Sequence, residues 1–208
     1  MRNRAALRML ALIVIASALM TSLESVTAAS AQASATTMNS AHLIINGKPY
    51  DLAWGQNIVQ PTRLPDGSKG WIRFRADLTI VQPNHKVGQV SSDDPCQTAS
   101  GTETWTDYAG FTLISYSLYQ YWCYDYTHVT SYTTAYEHSS EYLGWSLANH
   151  SEWTNYFPDW FPDEGIGTGQ FRFNGPFGVG CKSGSIAIDF FGDGSHPVFK
   201  YYGGYYGC

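Results

Sequence analysis

The stretch from Trp71 to Gln82, WIRFRADLTIVQ, decides the fold class. Ile72, Phe74, Ala76, Leu78 and Ile80 take alternate positions, and Arg73, Arg75, Asp77 and Thr79 fill the gaps. A period of two puts the apolar set on one face of a strand and the polar set on the other, so the segment reads as a half-buried antiparallel strand. Similar segments lie on both sides of it. His42 to Asn46 (HLIIN) reads as a first strand, stopped by the turn dipeptide Asn46-Gly47. Residues 110–124 (GFTLISYSLYQYWCY) read as a long strand whose apolar parity switches. Either both of its faces are covered, or a bulge near Leu118–Tyr119 shifts the register. Residues 126–136 (YTHVTSYTTAY) read as its hairpin partner. Phe171-Arg172-Phe173 is a short strand and residues 184–191 (GSIAIDFF) another, after which Gly192-Asp193-Gly194 turns the chain into Val198 to Tyr202. Residues 56–70, 83–107 and 156–170 are rich in Pro, Gly and Asx and read as loops and turns. Glu141 to Asn149 reads as a single helical turn. No segment keeps a 3.6-residue period over ten positions, so the fold class is all-β, an antiparallel sandwich or small barrel.

The ends of the chain add to this. Arg2, Arg4 and Arg8 precede a twelve-residue apolar run, Met9 to Met20, and then three overlapping A-x-A sites between Ala29 and Ala35. This is the pattern of a secretory signal peptide, assigned to residues 1–31. The run is shorter than the ~20 residues that span a bilayer, so no integral membrane span is expected after cleavage. Residues 32–40 read as a flexible tail, and 41–208 as a single β-rich domain. Without the three arginines and Glu24 of the leader, 12 basic and 17 acidic residues become 9 and 16, a formal charge of −7. Residues 87–208 carry Arg172, Lys182 and Lys200 against thirteen carboxylates. Nucleic acid and anionic membrane surfaces need clustered Lys and Arg and are not expected partners.

All four cysteines, Cys96, Cys123, Cys181 and Cys208, lie in the part predicted to be exported. An even count in a secreted chain reads as two disulfides, with three pairings open. Cys96–Cys123 and Cys181–Cys208 are favoured, because each pair is 27 residues apart and ties a turn-rich segment to a strand end. Neither C-x-x-C nor Cys–His clustering suggests a metal site.

Aromatic density is the main functional signal. Residues 105–161 hold eighteen aromatics in 57 positions. The sharpest case is residues 153–161, WTNYFPDWF, where turn-forming Pro158 and Asp159 sit among Trp153, Tyr156, Phe157, Trp160 and Phe161. Exposed aromatic platforms stack on the apolar faces of sugar rings and also form hot spots for protein partners. Asp159 and Asp163 flank this loop, so the candidate ligand-binding set is Trp153, Tyr156, Phe157, Trp160, Asp159 and Asp163. Turn carboxylates are the donors of weak extracellular Ca²⁺ sites, but the D-x-[DN]-x-[DN]-G spacing is absent. No cofactor is expected beyond that weak Ca²⁺ option. A carboxylate pair drawn from Asp159, Asp163, Glu164, Asp189 and Asp193 is the enzyme alternative, since glycoside hydrolysis uses two carboxyls. No G-x-S-x-G elbow, H-E-x-x-H or H-x-H spacing occurs, and His42, His85, His128, His138, His150 and His196 read as surface or turn residues. No catalytic residue is assigned.

At Tyr121-Trp122-Cys123-Tyr124-Asp125, with Val129-Thr130 following, the chain resembles a loose group of small secreted bacterial proteins of unknown role, which are β-rich and share a W-C-Y-(D/N)-G-x-x-(I/V)-T segment. Tyr126 stands where that pattern has glycine. The resemblance implies export and a disulfide-braced β fold, and it carries over no site residue. The expected function is a secreted, non-catalytic binding module for an extracellular glycan or cell-envelope polymer. The alternatives are the carboxylate-dependent hydrolase and a surface protein whose partner is another extracellular protein.

Overall fold

Twelve strands run through a computed structural model that describes residues 40–64, 67–81, 94–157, 162–175 and 178–206. The predicted leader and tail lie outside this range, except for Ser40. In chain order the strands are β1 (Ser40–Ile45), β2 (Lys48–Ala53), β3 (Asn57–Arg63), β4 (Lys69–Val81), β5 (Cys96–Asp107) and β6 (Thr112–Tyr124), then β7 (Val129–Tyr132), β8 (Tyr136–Glu141), β9 (Trp145–Asn155), β10 (Asp163–Gly175), β11 (Gly178–Phe190) and β12 (Val198–Tyr206). They form two six-stranded sheets. One has the order β2-β1-β12-β11-β10-β9. The other runs β3-β4-β5-β6-β7, with β8 also paired to β6. Every pairing is antiparallel except β1 with β12. The sheets do not close into a barrel. They face each other through ring contacts such as Phe74–Tyr201 at 5.2 Å, Trp105–Phe171 at 5.4 Å and Trp122–Phe190 at 5.2 Å between centroids.

The expected strand at 71–82 is β4, with Phe74 and Ala76 buried and Arg73 and Arg75 exposed. The Asn46-Gly47 turn joins β1 to β2, with both residues at positive φ, as a tight hairpin requires. Residues 126–136 supply β7, paired to the end of β6. Tyr126, in the position of the group's glycine, sits at φ 71°. That strain is offset by Asp125, whose Oδ1 accepts hydrogen bonds from Thr127 N, Thr127 Oγ1 and His128 N at 2.5–2.8 Å. The same three bonds, led by the Thr127 hydroxyl, hold the Asp125 carboxyl down at about 2.

Four expectations are corrected. Residues 57–63 are not loop but β3; Pro61 is tolerated there because β3 is an edge strand. Residues 96–107 are not turns but the central strand β5, whose inward positions are Gln97, Ala99, Gly101, Glu103 and Trp105. Residues 163–170 are not loop but the start of β10. Glu141 to Asn149 holds no helical turn: Leu143 and Gly144 (φ 55° and 88°) make a tight turn from β8 into β9. The bulge in β6 also sits elsewhere. Register slips opposite Trp105/Thr106 and at Cys123/Tyr124, while pairing through Leu118–Tyr119 is continuous.

Gly165, Gly167 and Gly169 alternate with outward residues along β10 and all face the core. A Cβ on Gly167 would stand 2.6 Å from Leu118 and 2.8 Å from the Tyr116 hydroxyl, and one on Gly165 only 2.3 Å from Gln120. These glycines mark close approach of a backbone to large side chains, not turns.

One disulfide is placed among the described residues, Cys96–Cys123, a directly opposed pair on β5 and β6 with a Cα–Cα distance of 4.0 Å. Closing a loop of this length contributes about 3–4 kcal/mol on the chain-entropy model. The second expected bridge is not placed, because Cys208 lies outside the described residues. No helix among the described residues is long and apolar enough to cross a membrane.

The core contains an acid and a base. Glu103 of β5 and Lys182 of β11 are both 1% exposed. Lys182 Nζ donates to Thr62 Oγ1 at 3.3 Å and lies 5.3 Å from the Trp105 ring centroid. Burial pushes Glu103 up to about 8, against the opposing pull of Lys182, and burial pulls the Lys182 ammonium down. The folded protein therefore keeps the Glu103 proton to higher pH than the unfolded chain, where the ordinary value is 4.5. From this group, stability is greatest at low pH and declines as pH rises from about 4.5 through about 8. We predict that the thermal midpoint of Glu103→Gln loses part of the wild-type decline between pH 5 and 8. Parallel curves for the two proteins would show that Glu103 does not carry it.

Candidate functional site

Three parts of the chain meet at one end of the sandwich: the β6–β7 hairpin, the residues that follow β9 and precede β10 (Tyr156, Phe157 and Pro162), and the β11–β12 turn. Between them is a cavity of about 320 Å³ lined by Thr127, His128, Val129, Tyr156, Phe157, Pro162, Asp163, Phe190, Phe191, Gly192 and Asp193. Asp125 fixes the hairpin tip through the bonds given above. Asp193 Oδ1 accepts a hydrogen bond from Ser195 N at 2.8 Å and fixes the turn. Gly192 lets the two meet, since a Cβ there would stand 2.4 Å from the His128 backbone.

Of the residues picked from sequence, Tyr156, Phe157 and Asp163 line this cavity. Tyr156 and Phe157 are 48% and 43% exposed. Tyr156 stacks on Tyr132 of β7, with centroids 5.6 Å apart and an interplanar angle of 13°. Tyr132 in turn reaches Phe190 at 6.3 Å, so the exposed pair rests on the core. Asp163 is only 4% exposed, and its Oδ1 accepts from Phe157 N at 2.8 Å. Burial raises its pKa, with the Phe157 bond opposing. It is a clamp on the aromatic wall rather than an exposed turn carboxylate. Trp153 belongs to β9, not to a loop, and points away from the core while Thr154 points inward to Gln120. It is 40% exposed on the outer face of the sheet, paired with Ile166, and is not among the lining residues. Asp159 and Trp160 lie outside the described residues.

The remaining carboxylates are divided between two places. Glu164 and Asp189 are register partners on the outer face of the first sheet, and both bind Lys200 Nζ, at 3.1 and 2.8 Å. Burial raises the Asp189 pKa against the pull of Lys200, and Glu164 raises it further. Partial burial pulls the Lys200 ammonium down, but Asp189 and Glu164 outweigh it and hold it above the usual range. Asp163 and Asp193 line the cavity, but each spends an oxygen on a wall backbone N–H. The four described candidates, Asp163, Glu164, Asp189 and Asp193, do not converge on a Ca²⁺-like oxygen cage.

A second cluster was missed by the sequence reading. Glu137 of β8 and His150 and Glu152 of β9 offer ligand atoms that all lie within 4.8 Å of one another. Burial raises the Glu137 pKa, with the Tyr116 hydroxyl and His150 opposing. The signal was present as His150-Ser151-Glu152, an H-x-E on a strand, where alternate residues share a face.

No protein-family model matches the chain, and neither a curated protein nor a solved structure matches it.

Gly192→Ala forces the hairpin tip off the β11–β12 turn. We predict a loss of about 1–3 kcal/mol, read by denaturant unfolding. Gly47→Ala, whose Cβ meets nothing within 4 Å, strains only its own backbone (φ 79°) and should cost about 1 kcal/mol. Equal losses in the two variants would contradict the tight packing at Gly192.

Proposed function

We propose that this is a secreted, non-catalytic binding module whose end cavity takes a segment of an extracellular glycan or cell-envelope polymer. The single observation that carries the reading is the Tyr132–Tyr156 stack beside exposed Phe157 at a cavity of about 320 Å³. Flat aromatic faces held against the core present a preformed apolar surface for the faces of sugar rings, and a rigid platform loses little entropy on binding. His128 and the cavity carboxylates supply polar groups for ring hydroxyls. Binding is favoured over hydrolysis because the cavity carboxylates already hold wall backbone, and Glu164 and Asp189 are neutralised by Lys200 on another face.

The reading includes export with removal of residues 1–31, and a second bridge, Cys181–Cys208. Its supports are the basic-then-apolar leader and the Cys96–Cys123 disulfide, which suits an oxidising compartment. Thiol titration of the purified mature protein should find none before reduction and four after it.

The binding test is affinity electrophoresis across soluble and insoluble polysaccharides. Retardation by at least one is expected, weakened about tenfold by Tyr156→Ala, equivalent to about 1.4 kcal/mol. Free migration on all of them, or retardation indifferent to both Tyr156→Ala and Trp160→Ala, would remove the proposal.

A further inference from the structure

The seam between β8 and β9 holds a built cluster that the end cavity does not use. β8 is bonded to β6 in one sheet, and β9 is the outer strand of the other. Glu137 is register partner to buried Leu118, so it faces the core. His150 and Glu152 are register partners to Gly169 and Gly167, on the same inward parity. His150 Nδ1 stands 2.7 Å from Glu137 Oε1 and 3.5 Å from Glu152 Oε2.

Two observations separate this cluster from an ordinary surface ion pair. The first is its unmet polarity. The Glu137 side chain is 8% exposed and its Oε2 is shut from solvent without a hydrogen bond of proper geometry. Tyr116, fully buried beneath it, brings its hydroxyl next to Glu137, the contact that opposes the rise in the Glu137 pKa, but not in proper hydrogen-bonding geometry. Buried groups of this kind are rare, because each unmade bond costs about 1–3 kcal/mol. The second is charge. Glu137 and Glu152 face one imidazole, and among the described residues no lysine or arginine pairs with either.

A cation answers both. The donors are one imidazole nitrogen and two carboxylate oxygens, a set suited to zinc and its first-row neighbours; calcium prefers six to eight oxygens, and thiolate is absent. Metal–ligand distances of about 2.0–2.2 Å are reached from the present spread by side-chain shifts of about an ångström. His150 is half exposed, so one side of the cluster stays open to a water ligand.

We propose that Glu137, His150 and Glu152 form a divalent transition-metal site that ties the edge of one sheet to the edge of the other. The full mature chain, stripped with chelator, should take up one Zn²⁺ by isothermal titration and unfold at higher temperature when loaded. Co²⁺ in its place should give visible d–d bands of low coordination number. His150→Ala should weaken Zn²⁺ binding by roughly tenfold or more and abolish the bands. His138→Ala, on the same seam strand as Glu137 but with opposite parity, should change neither. Glu152→Gln, which keeps the shape of the side chain, should also lose the metal while its circular dichroism stays that of wild type. No Zn²⁺ uptake, Ca²⁺ taken in preference to Zn²⁺, or uptake indifferent to His150→Ala would overturn the site.

Discussion

The sheets are held at their spacing by exchange of large side chains for absent ones. Tyr116, Leu118 and Gln120 of β6 stand over Gly169, Gly167 and Gly165 of β10. Glu103 and Trp105 of β5 stand over Gly184 of β11, and Glu103 also over Gly203 of β12. The exchange runs the other way at Gly101 of β5, which receives Ile186, Tyr201 and Phe199. A Cβ at several of these glycines would fall under 3.0 Å from a neighbour, so the sheets would have to part. This complementarity accounts for a chain that is rich in glycine and in aromatics together. Each supplies what the other needs: rings fill the gap, and bare backbone makes room for rings. Glycine in a strand costs conformational entropy, roughly 0.5–1 kcal/mol at each position. The Cys96–Cys123 bridge, which joins β5 and β6, the strands of Trp105, Tyr116 and Trp122, offsets part of that cost.

The buried Glu103–Lys182 pair belongs to the same scheme. The Glu103 carboxylate lies where Gly184 and Gly203 leave space over β11 and β12. A hydrophobic pair would in general stabilise as well or better. What the ionisable pair adds is a penalty for misalignment. A slip of one residue in β5 or β11 turns Glu103 or Lys182 to the opposite face and leaves its partner alone in the core. Long strands with small, repetitive residues, such as β11, are prone to slippage, and this pair makes the slipped registers costly.

Strands were legible in the sequence where apolar and polar residues alternate, and hidden where the inward residue is glycine or polar. β4 shows its period openly. β10 does not, because three of its inward residues are glycine, and G-x-G-x-G reads as turn. β5 does not, because Gln97, Gly101 and Glu103 take core positions that composition assigns to solvent. β3 was masked by Pro61, which an edge strand accepts. In each case the deciding fact lies on another strand: the ring that needs the glycine, the lysine that needs the glutamate, the missing neighbour that frees the proline. A single segment cannot report its partner.

The candidate site residues follow the same logic. Tyr156 and Phe157 were visible as aromatics amid turn residues, and the structure puts them on a cavity wall. Trp153 looked equivalent but sits across the sheet, because residues 153–155 are still strand and parity separates Trp153 from Thr154. Parity also separates the two histidine–glutamate spacings on these strands. His138 and Glu141 are three apart and fall on opposite faces of β8, whereas His150 and Glu152 are two apart and fall on one. The third member, Glu137, comes from the other sheet, thirteen residues before His150 in the chain. It is brought there because the Tyr142–Gly144 turn carries the chain between sheets and lays β9 back along β8. The crossover that a sandwich needs in order to change sheets is thus what assembles the cluster, and any motif search along one strand would see only half of it.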